Sequence, residues 1–210
     1  MMRPTALLRV ALAGACALAL SGCISLLPKT KPSQLYRFGQ ATNAEAGPSM
    51  TAGQVGVLRA GGVFQREAAG DRILTVTDGK VAYVAETRWV APAALLWDEA
   101  LSAAFDADTG RVRLLARGEP GVADYILRID VRNFEAHYDA GPKAPPTVLV
   151  RVRAVMSGRA GGAVGEQIFE ARKPAGDNRV GAIVAAYDAA VRDVLGQLIT
   201  WTDGQAKPQA

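Results

Sequence analysis

The chain is 210 residues long and half hydrophobic, with 24 Lys and Arg against 20 Asp and Glu and only 6% aromatic residues. That length suits one domain with a sizeable core and is short for two, and the near balance of charge gives no footprint for a nucleic-acid partner. Both cysteines, Cys16 and Cys23, fall in the first 23 residues, so the body of the chain has no thiol for a disulfide or a thiolate metal site.

The first 22 residues read as a secretory signal: a basic start (Arg3, Arg9), an apolar run from Val10 to Leu20, then small residues. A run of 11 residues is shorter than the roughly 20 needed to span a bilayer. Its end, Leu20-Ser21-Gly22-Cys23, resembles the lipobox of bacterial lipoproteins. That resemblance implies a diacylglycerol thioether on Cys23 and cleavage before it. Two or three acyl chains make such attachment effectively permanent, where one is marginal. Ile24 stands where an Asp would signal retention in the inner membrane, so the resemblance implies the periplasmic face of the outer membrane. Residues 23–34, with Pro28, Pro32, Lys29 and Lys31, read as a tether. The domain is expected over residues 35–201 and a polar, disordered tail over 202–210.

Leu35–Phe38 reads as a first short strand, Gly39–Gly53 as a loop and Gln54–Leu58 as a second strand. The clearest hairpin joins Ile73–Thr77 to Lys80–Val84 through Asp78-Gly79, which supplies the positive φ angles of a two-residue type I′ turn. Arg88-Trp89 follows, with Pro92 expected in the first turn of a helix. The stripe Ala94, Trp97, Leu101, Ala104 and Phe105 recurs at helical spacing. After the turn Asp108-Thr109-Gly110 comes a strand over 111–116.

Residues 124–132 alternate, with Tyr125, Leu127, Ile129 and Val131 on one face and Arg128, Asp130 and Arg132 on the other. Phe134 falls on the polar parity, so the phase slips near Asn133 through a bulge or a strand end. Thr147–Met156 alternates again, Val148 to Met156 opposite Arg151 and Arg153, and the glycine-rich turn 157–162 leads into a strand over 163–173. Asp177 and Asn178 both carry capping side chains ahead of a helix over 179–201, marked by Val180, Val184, Tyr187, Val191, Val194, Leu195 and Leu198. Strands, helix, strands and long helix give an α+β sandwich, a single domain with a mainly antiparallel sheet and two helices on one face.

No catalytic constellation emerges. His137 is the sole histidine and lacks the partners of a zinc cluster. Ser33, Ser49, Ser102 and Ser157 lack a nucleophile elbow. Asp108-Thr109-Gly110 matches the letters of an aspartic-protease loop but follows a helix and reads as a turn; Asp106, Asp108 and Gly110 lack the later ligands of a calcium loop. Gly158, Gly161, Gly162 and Gly165 are wrongly spaced for a dinucleotide loop. Neither a metal nor a cofactor is expected, the covalent lipid on Cys23 aside. Two features point to binding: Arg128, Arg132, Arg151 and Arg153 on neighbouring strands, a solvated ladder relieved by Asp130 or a basic surface for anionic headgroups or an acidic partner; and Arg88-Trp89, whose indole anchors the core at a strand–helix junction and secondarily touches a partner.

In order, the lipobox, Tyr36-x-Phe38, Val55-Gly56-Val57, the hairpin leading to Arg88-Trp89, the Tyr125-x-Leu127 strand running to Phe134, and the helix ending at Trp201 resemble the auxiliary lipoproteins of ABC-type transport systems. These include members that serve mammalian-cell-entry (MCE) proteins in lipid trafficking. The resemblance implies a non-enzymatic, membrane-anchored component that binds a periplasmic MCE protein through strand edges or the Arg-bearing face, and it is compatible with a homo-oligomer. A lipoprotein that itself binds lipid or lipopolysaccharide, or assists outer-membrane assembly, is the alternative; an enzyme would need a polar cleft.

Overall fold

The computed structural model describes residues 32–39 and 53–207. The signal segment, Cys23, nearly all of the tether and most of the Gly39–Gly53 loop lie outside the described residues. In order, the elements are β1 (Gln34–Tyr36), β2 (Val55–Ala60), β3 (Leu74–Thr77), β4 (Lys80–Tyr83), β5 (Thr87–Trp89), α1 (Ala93–Ala107), β6 (Val112–Leu115), β7 (Tyr125–His137), β8 (Thr147–Gly158), β9 (Ala163–Pro174) and α2 (Val180–Gln205).

The long strands β7, β8 and β9 form an antiparallel meander because each alternates apolar and polar residues at period two. Val148, Val150, Val152, Ala154 and Met156 of β8 are fully buried, beneath Tyr187, Val191, Val194 and Leu198 of α2 in one continuous core. α2 packs on β8 and β9, while α1 packs on β6 and touches α2, which gives the two-layer α+β arrangement. On β7, Val131 pairs with Val152 and Asn133 with Arg151, so Arg132 is the extra residue of a bulge. That extra residue turns Phe134 into the core, and a bulge accounts for the parity slip legible in the sequence.

The sheet is mainly antiparallel, as expected, with parallel pairings made by β2 and β3. One edge of β7 is covered by β8; the other is shared by β2 near its start and β3 near its end, both parallel to it. β6 pairs parallel to β2, placed there by the return of the chain through α1. β1 and β5 make a separate parallel ribbon. Its inward residue Trp89 meets Phe38 and Tyr187 edge-on at centroid distances of 5.0 and 5.3 Å, and Phe134 lies 4.8 Å from Tyr187. Four aromatics thus meet where the ribbon, β7 and α2 converge, each pair adding to stability beyond its buried area. The Tyr187 hydroxyl donates to the Leu74 carbonyl at 3.2 Å, and burial raises its pKa well above the ordinary phenol value.

The β3–β4 turn is as expected, with Asp78 at φ 49° and Gly79 at φ 73°. Other local expectations are corrected. Pro92 stands at the cap position before α1, not inside its first turn; the expected stripe is buried at Trp97, Leu101 and Phe105, joined by Ala93, Leu96 and Ala100, while Ala94 and Ala104 are partly buried. Neither Asp177 nor Asn178 caps α2: the residue before the helix is Arg179, Asp177 pairs with Arg179, and Asn178 accepts from the Tyr138 hydroxyl and donates to the Pro142 carbonyl. The helix also runs past Trp201 into the segment expected as tail. Thr202 and Ala206 are fully buried, Asp203 accepts from the Val112 N–H at 3.1 Å, and the Tyr125 hydroxyl donates to the Lys207 carbonyl at 2.9 Å.

After β2 the chain crosses tightly against β7, where Val131 N–H donates to the Val63 carbonyl and Gln65 N–H to the Val131 carbonyl. A Cβ on Gly62 would sit 1.6 Å from the Ile129 carbonyl oxygen, whereas one on Gly61 would meet nothing within 4 Å. Gly62→Ala is therefore expected to cost about 2–3 kcal/mol through forced displacement of backbone, a Tm loss of at least about 5 °C. Gly61→Ala is expected to melt like the wild type; calorimetry on both variants checks the contrast.

Candidate functional site

The strands that bury one face against α2 present the other to solvent, and that face carries the arginines singled out in the sequence. Asp130 organises them. Its side chain is only 3% exposed and gathers Arg128 Nε at 3.1 Å, Arg132 Nη2 at 3.5 Å and Arg153 Nη1 at 3.4 Å, while the Val63 N–H donates to it at 3.0 Å. Burial pushes the Asp130 carboxyl up, but the Val63 N–H and the Arg128 and Arg132 guanidiniums outweigh it and hold its pKa below the ordinary value.

β9 supplies the remaining counter-charges. Arg153 forks onto both oxygens of Glu166, Nε at 2.6 Å and Nη2 at 2.7 Å, a bidentate geometry that fixes both side chains. Glu170 takes Arg151 Nε at 2.6 Å and Arg172 Nε at 2.7 Å. The surface is thus a checkerboard rather than a bare basic ladder. Its carboxylates on β9 escape a search for arginines, yet Glu166 and Glu170 share one face by even spacing, and the 157–162 turn sets Glu170 opposite Arg151 and Glu166 diagonal to Arg153.

At the far end of β7 a second polar group forms. Glu135 accepts from Gln65 at 2.7 Å and from Asn133 at 2.8 Å and pairs with His137 Nε2 at 3.0 Å. Burial raises the Glu135 pKa, and the hydrogen bonds from Gln65, His137 and Asn133 more than offset it, so the net shift is downward. Gln65 also accepts from the Phe134 N–H at 2.7 Å, so the pair sustains the bulge geometry. Asp108-Thr109-Gly110 is a turn in which the Gly110 N–H donates to Asp108 at 2.9 Å.

The six arginine and tryptophan positions expected to bind do not form one site. Arg128, Arg132, Arg151 and Arg153 share the β7–β8 outer face, but Arg88 sits on the β1–β5 ribbon, paired with Asp71 at 2.7 Å. Trp89, at 2% exposure, lies in the core and out of a partner's reach. An open groove of about 240 Å³ between α1 and α2 is lined by Ala100, Ala104, Val191, Leu195 and Ile199. Among the described residues no helix is long and apolar enough to cross a membrane.

The family model described as "ABC-type transport auxiliary lipoprotein component" matches residues 42–198, more than half of the chain. The chain belongs to that family. A similar fold is seen in a crystal structure of a Xanthomonas campestris protein, 24% identical, which aligns with a TM-score of 0.66 over 82% of this chain and 96% of that one. A second crystal structure, of an uncharacterized protein 13% identical, aligns with a TM-score of 0.62 over 82% and 99%. At these identities the likeness concerns the fold. No curated protein shows significant similarity to the chain.

Asp130→Ala leaves three guanidiniums and the Val63 N–H without their shared acceptor and is expected to cost about 2 kcal/mol. Because the Asp130 and Glu135 carboxyls have lower pKa values folded than unfolded, their contribution is complete above the ordinary carboxylate range, about pH 4, and is lost as pH falls through the folded values. Urea midpoints measured from neutral pH down through that range should therefore fall with acid in the wild type. The fall should be shallower in Asp130→Ala.

Proposed function

We propose that this chain is the non-enzymatic, membrane-anchored lipoprotein of an ABC/MCE-type envelope lipid transport system, lipidated at Cys23 and bound to its periplasmic MCE partner near the outer membrane. Family membership supports the transport role. Leu20-Ser21-Gly22-Cys23 and the following Ile24 support the anchor and its outer-membrane side. Energy for transport would come from the ATPase of the system, and this chain's part is to hold a rigid body beside the destination bilayer. Tethering by acyl chains raises the local concentration of domain and partner, so a weak contact stays occupied.

The observation that carries the partner contact is the outer edge of β9. This 12-residue strand pairs only with β8 among the described strands, and Ile168, at 59% exposure, interrupts the charged checkerboard beside that edge. Such an edge accepts an added strand through main-chain hydrogen bonds, with side chains on alternate positions giving specificity. Five arginines against three carboxylates on the adjoining face leave it net positive, which favours an acidic partner surface. The competing reading, a carrier that encloses lipid itself, would be favoured by a closed apolar cavity of several hundred Å³. The apolar hollow described above is a smaller, open groove.

Co-expression with the MCE protein of the same system and mild detergent solubilisation test the proposal. The two are expected to co-purify, and Ile168→Lys combined with Val164→Lys is expected to reduce the retained partner by about tenfold, the effect of losing one strong apolar contact. Failure to retain the partner with both proteins present and folded would overturn the assignment.

A further inference from the structure

The β1–β5 ribbon has an outward face that neither the core nor the β7–β9 surface uses. Parallel pairing sets Leu35 beside Arg88 and Tyr36 beside Trp89. Trp89 points into the core, so on the alternating ribbon Leu35, Arg37, Arg88 and Val90 point out. The Val90 N–H donates to the Tyr36 carbonyl at 2.8 Å, which carries the register one residue further. Arg37 reaches Glu99 of α1 at 3.0 Å. Leu95 lies one helical turn before Glu99, on the same stripe of α1. Leu35, Val90 and Leu95 are 61%, 50% and 54% exposed, a grouping of large aliphatics around two arginines.

We propose that this face docks on the phospholipid bilayer in which the chain is anchored, the three aliphatics entering the headgroup boundary and Arg37 and Arg88 facing anionic phosphates. The inference rests on the lipid anchor at Cys23. Two observations select a bilayer as the occupant. The first is where the chain arrives: nine residues, 24–32, lie between Cys23 and Ser33, and β1, which begins at the next residue, is the first described strand after the anchor. Extended, those residues reach about 33 Å, which allows contact and leaves it to the face to hold the domain down. The second is charge: residues 24–38 contain Lys29, Lys31 and Arg37 and no Asp or Glu, and polybasic segments flanking an anchor are drawn to anionic headgroups. Arg37 and Arg88 are paired with Glu99 and Asp71, but both guanidinium side chains stay 47% exposed and open to phosphate. Apolar side chains flanked by basic ones are the pattern of interfacial binding.

The test uses the mature lipidated protein reconstituted in vesicles of phosphatidylethanolamine and phosphatidylglycerol. Val90→Cys, Leu95→Cys and, on β9, Ile168→Cys variants each carry an environment-sensitive fluorophore; the Cys23 sulfur is already a thioether, so the introduced thiol alone reacts. Quenching by lipid-borne quenchers is expected to be about twofold or more stronger at 90 and 95 than at 168. A parallel arm uses the unlipidated Cys23→Ser protein, whose sedimentation with the same vesicles should fall about tenfold on combining Leu35→Glu with Val90→Glu, and should fall with added salt. Equal quenching at 90, 95 and 168 overturns the docking face while leaving the anchor intact. An unmodified Cys23 in the wild type overturns the anchor instead, and vesicle binding by Cys23→Ser then still decides the docking face. Sedimentation of Cys23→Ser that is absent, or that Leu35→Glu with Val90→Glu leaves unchanged, sinks the proposal.

Discussion

The seam between β8 and α2 is the constraint from which the other features follow. Val148, Val150, Val152, Ala154 and Met156 leave no accessible surface, and they meet Tyr187, Val191, Val194 and Leu198 across the layer. Each fully buried large aliphatic stabilises by about 1.5–3 kcal/mol, so a one-residue slip of β8 would trade this whole set for Arg151 and Arg153. Side-chain alternation then dictates the rest: fixing the apolar face inward fixes the arginines outward, opposite Glu170 and beside Glu166 of β9.

A structure of this kind separates its surfaces by chemistry. The β7–β9 outer face is charged and mutually paired, and among the described strands β9 pairs along one edge alone. The β1–β5 ribbon, first after the tether, is apolar and basic. An anchored body with one side suited to a bilayer and another to a protein can hold a transport partner at a set place by geometry alone.

Local chemistry was legible from residues alone wherever a short stretch decides its own conformation. Asp78-Gly79 could only be a tight turn, and the parity slip at Phe134 announced a bulge whose extra residue is Arg132. Long-range choices were not legible. The parallel placement of β2 and β3 along one edge of β7 depends on how α1 and the Gly62 crossing fold back, and no local pattern encodes which edge is reached. Arg88-Trp89 points to an indole that anchors the core at a strand–helix junction, and Trp89 does so; Phe38, Phe134 and Tyr187, remote in sequence, surround it and leave no face for the secondary partner contact. The polar composition after Trp201 suggested a frayed tail, yet Asp203 is polar because it accepts from the Val112 N–H, and that contact ties the helix end to β6. Of the residues expected to bind, the four arginines on β7 and β8 share the outer face that alternation predicts, while their acidic partners on β9 needed the hairpin register.

A lipid on Cys23 is what would convert this folded domain into an envelope component. Mass spectrometry of the N-terminal peptide of the protein extracted from membranes tests it most directly. The claim requires a peptide that begins at Cys23 and carries diacylglycerol on the sulfur; a mature chain with a free thiol at Cys23, or one that begins elsewhere, would contradict it.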